Sequence, residues 1–308
     1  MSASAYDSIV RGFASLRANW QLVPLLWLQQ MLVLVLLVLG AAVPSAVVGV
    51  EGWRRFAAWR PGRGDEALLE LAAIVAPLAL PLAIALLGTA VVWTLAVIVF
   101  CWFQGGSFAV LLAAERQAPP GPPGDWRLFR TYERGFFTGW ARRLTWRYFG
   151  FWNLWGLAAL GWGLALALLV VAAQAAALEW GVGGLVTVAV AGSLALGVGF
   201  FVLAGWGLVA PPHLAAETGG VGRSSRIALA LLGRRPAAVA VVVGVFLGLW
   251  LLVAFAVGSV GTPLLLLDVR RDLALWLGGQ LLVWLLQVAA TVAVATAMNG
   301  ALAALVVG

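Results

Sequence analysis

The sequence contains no lysine, one cysteine and one histidine, and only 10% of its residues are charged. With Cys101 alone, and inside an apolar run, no intramolecular disulfide can form and the redox compartment is left open. A single histidine, His213, argues against a histidine-based metal or haem site within this chain alone. Charge is missing where transport chemistry would need it. No Asp, Glu, Arg or His falls in the middle of an expected membrane span, which weighs against an ion-coupled pump. Ser224 and Ser225 have no nearby base, Cys101 has none, and no phosphate-binding glycine loop is present, so nucleophilic and nucleotide chemistry find no foothold. His213 and Glu217 stand four residues apart and read as a loop or capping pair after Pro211 and Pro212 rather than as a catalytic dyad.

Apolar residues, by contrast, dominate. They make up 63% of the 308 residues, with a mean hydropathy of +1.02, in uninterrupted stretches that water-soluble domains do not show. The chain reads as a single all-α integral membrane domain over 1–308. Spans are expected at about 22–48, 78–112, 148–178, 183–210, 237–266 and 273–305, each long enough for a hydrocarbon core of about 30 Å. The run from Leu22 to about Val50 is too long for a cleavable signal sequence and is read as a span. Pro77 and Pro81 break or kink any helix across 67–87; a short outer helix before a long kinked one is expected, with a re-entrant segment as the alternative.

The net charge is +7, all of its positive part arginine. In a membrane protein this reads as topology and headgroup contact rather than nucleic-acid binding. Thirteen arginines fall in the N-terminus and the 114–147 and 213–236 loops, against six on the opposite side, which places both termini in the cytoplasm of a cell with an inner membrane. Each arginine-rich segment reads as an amphipathic helix lying in the headgroup layer. In the first, Ile9, Phe13, Leu16 and Trp20 oppose Ser8, Arg11, Ser15 and Asn19. In the second, Phe129, Tyr132, Phe136 and Trp140 oppose Arg130, Arg134, Thr138 and Ala141. In the third, Val221, Ala228, Leu229 and Leu232 oppose Arg223, Arg226 and Arg234. Arg11, Arg17, Arg130, Arg134, Arg143, Arg223, Arg226 and Arg234 are thus the expected lipid-headgroup contacts. Three units of an interfacial helix and a hairpin follow, 1–117, 118–213 and 214–308; positive-inside loops on any six-helix protein would also look threefold.

Residues 210–250, "APPHLAAETGGVGRSSRIALALLGRRPAAVAVVVGVFLGLW", carry Pro211, Glu217, Gly219, Gly220, Ser224, Arg226 and Arg234 in an order that resembles bacterial membrane domains attached to some glycerophosphodiester phosphodiesterases, and related stand-alone six-helix proteins. "FQGGSFAVLLAAERQ", 103–117, is similar to the end of the second span in such proteins. The metal-binding phosphodiesterase domain has no counterpart in this sequence, so the resemblance implies a membrane-embedded helper and not that activity.

Neutral polar and aromatic residues supply the remaining candidates. Gln280, Gln287 and Thr291 share a face of the last span and, with Asn153, would form interhelical hydrogen bonds or line a polar cavity. Among 17 tryptophans, Trp155, Trp162, Trp250 and Trp284 fall deep in spans, where they would pack on neighbouring helices, lipid, a quinone, a pigment or another subunit. The expected role is a non-enzymatic accessory or scaffold subunit contacting lipids and other membrane proteins, with no metal, no nucleic acid and no cofactor other than a bound lipid. A transporter-like subunit for a lipid or neutral hydrophobic molecule, and a pigment- or quinone-holding subunit, are the alternatives.

Overall fold

A computed structural model describes residues 4–58, 69, 72–73, 76–121, 123–217, 219–263 and 272–307. All regular structure among them is helical. Helix α1, Ala5–Ala18, starts at a capping box in which the Asp7 N–H donates to Ser4 Oγ while the Asp7 carboxylate receives the Ser4 N–H. After Asn19 the chain turns into α2, Leu22–Ala58, which is broken at Gly49 (φ 64°, ψ 177°), close to the expected end of the first span. A single 3₁₀ turn, Ala76–Leu78, leads into α3, Ala79–Gln117. Pro77 lies in that turn and Pro81 in the first turn of α3. A helix leaves its first N–H groups unbonded in any case, so Pro81 begins α3 instead of kinking it. Glu70 and most of 59–75 lie outside the described residues.

Contacts divide the chain into two compact units, Leu28–Phe100 and the remainder. In the first, α2 and α3 run antiparallel: the Trp93 indole donates to Leu37 O (3.3 Å) and Thr89 Oγ1 to Gly40 O (2.7 Å). Gly40 is required there, because a Cβ would stand 2.4 Å from the Trp93 ring.

In the second unit, α4 runs from Arg134 to Ala216, and its 83 residues would reach about 125 Å if straight. It is broken at Gly181 (φ 67°, ψ −157°), and its arms lie antiparallel. Tyr148 Oη donates to Pro211 O, Trp155 Nε1 to Leu203 O and Trp162 Nε1 to Leu196 O, at 2.7, 3.0 and 3.0 Å. Each step of seven residues up one arm is a step of about seven down the other. Helix α5, Val221–Arg234, is followed at the Arg235 elbow by α6, Pro236–Val260, whose Pro236 occupies the first helical turn. Trp250 Nε1 of α6 donates to Thr291 Oγ1 of α7, Leu273–Val307, at 3.1 Å.

Five of these helices are long and apolar enough to cross a membrane, as a polytopic membrane protein requires. At most 17% of each most apolar stretch is buried, however. The core of the second unit is gathered at particular helix ends: Leu22 and Leu26 of α2, 108–114 of α3, both termini of α4, Val239 to Phe246 of α6 and 292–305 of α7. Beyond that core, leucines such as Leu157, Leu164, Leu168 and Leu194 are about two-thirds exposed. Exposed leucine rows suit a hydrocarbon surround, where burying apolar surface confers no advantage over contact with acyl chains.

Two of the three expected interfacial helices differ from expectation. In α1 the polar face is the buried one: Ser8, Ser15 and Asn19 are inaccessible and Arg11 nearly so, while Tyr6 and Trp20 are 72% and 62% exposed. The second expected helix does not exist as one element. Phe129 ends a 3₁₀ turn, Trp126–Phe129, Tyr132 is in extended chain, and Phe136 and Trp140 belong to the first turns of α4, where Ala141 is buried rather than facing out. In α5 the expected division is largely kept, with Ala228 buried, Val221 and Leu232 half-buried and Arg223, Arg226 and Arg234 exposed; only Leu229 departs from it, being exposed, and Ser224 and Ser225 join the buried face.

Candidate functional site

Arg11 is the centre of the polar core. Its Nε donates to Glu115 Oε2 at 2.7 Å, Nη1 donates to Pro119 O and Gly121 O at 2.8 and 2.9 Å, and the guanidinium stacks on Phe129 at 5.1 Å. Both charged side chains are buried, at 9% and 1% exposure. One side chain thus ties α1 to the end of α3 and to the proline-rich turn after it. The fork geometry matters: guanidinium can serve a carboxylate and two carbonyls at once, as an ammonium on a flexible stem cannot do in a fixed plane.

Asn19 performs the same task one helix end away. Its Nδ2 donates to Ser15 O (3.1 Å) and Phe129 O (2.7 Å), and its Oδ1 accepts the N–H groups of Thr131 (3.0 Å) and Tyr132 (2.8 Å). Asn19→Ala should orphan two buried or half-buried N–H groups and Phe129 O, at a cost of roughly 1–3 kcal/mol for each group left dry. A chemical-denaturation midpoint in mild detergent reads this loss, and an unchanged midpoint would contradict it.

The far end of α4 is held by arginines. Arg147 donates through Nη1 to Glu217 O (2.8 Å) and through Nη2 to Gly219 O, while Arg116 Nη2 donates to Ala216 O (3.1 Å). These cations satisfy the carbonyls that the helix C-terminus leaves open and oppose its negative dipole end. The glycines of the "FQGGSF" stretch permit the approach of α3 to α4: a Cβ at Gly106 would lie 2.7 Å from the Phe137 ring, and one at Gly105 2.9 Å from Leu144 Cβ.

The expected headgroup arginines therefore separate into groups. Arg11 is corrected outright: it is an internal ion-pair partner. Arg17 stacks on Trp126 (4.6 Å) and Arg143 on Trp140 (5.6 Å). Arg223 is exposed with its Nε 3.9 Å from Glu217, and Arg130, Arg134, Arg226 and Arg234 are exposed. His213 and Glu217 are joined through backbone, Glu217 N–H to His213 O; His213 itself is buried. Of the deep tryptophans, Trp155, Trp162 and Trp250 spend their indole N–H on the opposite helix, and Trp284 is partly exposed.

The intramembrane polar residues are not brought together. Asn153 is exposed and donates to Phe149 O in its own helix, Thr291 accepts from Trp250, and Gln280 and Gln287 are half-buried on α7. Gln29 of α2 is fully buried with neither amide atom hydrogen-bonded. Among the described residues no group of three His, Cys, Asp or Glu is placed to hold a metal ion.

Sequence reasoning missed Glu115, Arg147 and Tyr148. The available signal for Glu115 was a lone carboxylate directly after an apolar run, facing an arginine-bearing helix whose small residues, Ser8, Gly12 and Ser15, recur at helical spacing.

A surface groove of about 250 Å³ opens beside this core, lined by Ala109, Leu112, Ala113, Arg116, Gln117, Phe136, Trp140 and Ala215. A shallower one of similar volume lies over Ala90, Val91, Thr94 and Leu95. Neither includes Asn153, Gln280, Gln287 or Thr291.

No protein-family model, curated protein or solved structure matches this chain.

Proposed function

We propose that this protein is a non-enzymatic scaffold subunit of a membrane complex, with six spans in three hairpins and both termini in the cytoplasm. With the two arms of α4 counted separately, the five long apolar helices support a reading of six spans. The observation that carries the reading is the division of labour along the helices. Polar side chains are consumed by fastening helix ends to one another, while the apolar lengths beyond them leave broad helix faces open for lipid or for the helices of another protein. Gly244 and Gly248 of α6 face open space, where a partner backbone could approach closely.

Purification from the native membrane in mild detergent, followed by mass spectrometry of what co-purifies, tests this. Stoichiometric membrane-protein partners are expected. A monomer that carries no other protein through repeated preparations would overturn the scaffold reading.

A further inference from the structure

We infer that the groove between the end of α3 and the start of α4 is a binding site for one anionic phospholipid, with the phosphodiester at Arg116 and an acyl chain running toward Ala109. The inference rests on the scaffold reading only for its membrane setting.

The groove is polarised along α3. At one end are Arg116 and Gln117, both exposed. Arg116 uses Nη2 on Ala216 O at 3.1 Å, and among the described residues its remaining N–H groups have no protein acceptor. That single bond holds the guanidinium at the mouth and leaves the rest of its fork toward the opening. Four and seven residues earlier, about 6 and 10 Å along the helix, the wall is Leu112 and Ala109, in the last apolar turns of α3. The facing wall is Phe136 and Trp140, two half-buried rings with centroids 6.2 Å apart. Arg143 is not in the lining, but its guanidinium stacks at 5.6 Å on Trp140, a ring of the facing wall, which Arg142 does not touch among the described contacts.

Charge complementarity selects the occupant. Glu115, the carboxylate adjacent to Arg116, is turned inward to its pair with Arg11 and does not offset these cations. An anionic headgroup is therefore favoured over a zwitterionic one. The apolar floor and the two rings favour a molecule with an acyl chain over a water-soluble phosphate.

The full-length protein, delipidated in detergent, would be given phosphatidylglycerol or phosphatidylcholine of equal chain length, and bound lipid read by native mass spectrometry. At least fivefold greater retention of phosphatidylglycerol is expected. The double variant R116Q/R143Q should abolish that preference, and Ala113→Phe, which fills the groove but keeps both cations, should reduce retention to the same degree. Arg142→Gln, an exposed arginine that does not line the groove, should leave it unchanged. Equal retention of the two lipids by the parent protein, or equal losses in Arg142→Gln and R116Q/R143Q, would overturn the site. Displacement by millimolar glycerol phosphate would assign the groove to a soluble phosphate instead. Ala113→Phe leaves the Arg116–Ala216 bond in place, so a folding defect in R116Q/R143Q does not shield the proposal. Protein partners are read in a separate preparation, so failure here leaves the scaffold reading to its own test.

Discussion

Arg11→Met should destabilise the protein by about 3–5 kcal/mol, the range for removing one partner of a buried ion pair. The Glu115 carboxylate would remain at 1% exposure without its cation, and Pro119 O and Gly121 O would lose their donor. Glu115→Leu should cost a similar amount, because it leaves a buried guanidinium with only carbonyl partners. The double variant R11M/E115L should recover much of either loss, since no uncompensated charge then remains. A strongly non-additive cycle is thus expected in denaturant titrations followed by helical circular dichroism. Additive losses would mean that the two side chains do not act as a pair. Arg142→Gln, on an exposed arginine, provides the reference and should shift stability by no more than about 0.5 kcal/mol.

That network was only half legible in the sequence, for a physical reason. The periodicity of α1 separates Ile9, Phe13 and Trp20 from Ser8, Arg11, Ser15 and Asn19 correctly, and the structure keeps that separation. What periodicity cannot supply is the sign of the surroundings. In water the polar face turns outward; here Glu115 and the carbonyls of Pro119, Gly121 and Phe129 offer protein partners to the guanidinium and the amide, and the polar face turns inward. Ser8, Gly12 and Ser15 also allow close helix contact, which rewards the same orientation. The long apolar helices, by contrast, follow from composition alone: six spans are expected, and five helices long and apolar enough to cross a membrane are found among the described residues.

Breaks between helices show the same limit. Gly49 and Gly181 adopt positive φ close to the expected span ends, at 48 and between 178 and 183, where Glu51 and Glu179 interrupt the apolar runs; which glycine takes the break is not marked by any local motif. The break at Gly181 falls in the gap expected between the spans at 148–178 and 183–210, beside Glu179, although the helix is otherwise continuous over Arg134–Ala216. Similarly, Arg130 to Glu133 sit in a segment with helical spacing of aromatics but are extended, because the Asn19 side chain bonds the Thr131 and Tyr132 N–H groups and the Phe129 carbonyl. A contact more than a hundred residues away in sequence overrode the local pattern.

Gly12→Ala tests how α1 is held. A Cβ at this position would lie 2.4 Å from Ala297 O and 2.9 Å from Ala301 N, both backbone atoms of α7 that cannot rotate aside. Gly300 contributes the opposite side of the contact, with its own Cβ position 3.2 Å from Gly12 Cα. Alanine should therefore cost at least about 1–3 kcal/mol, although in an exposed helix the same change stabilises. Gly222 in α5 supplies that contrast: nothing lies within 4 Å of its Cβ position, so Gly222→Ala should stabilise by about 0.5–1 kcal/mol. Leucine at position 12 would exceed what the backbones can accommodate and should release α1 from α7, exposing Arg11 and Asn19 and loosening the 118–132 segment they hold. Hydrogen exchange reads this directly: protection should be lost over α1 and over 129–132, while the α4 arms joined by Trp155 and Trp162 keep theirs. Full protection of α1 in Gly12→Leu would mean that the two backbones do not meet there. Loss spread evenly over all helices would mean that α1 is part of the main folding unit and not a clasp upon it.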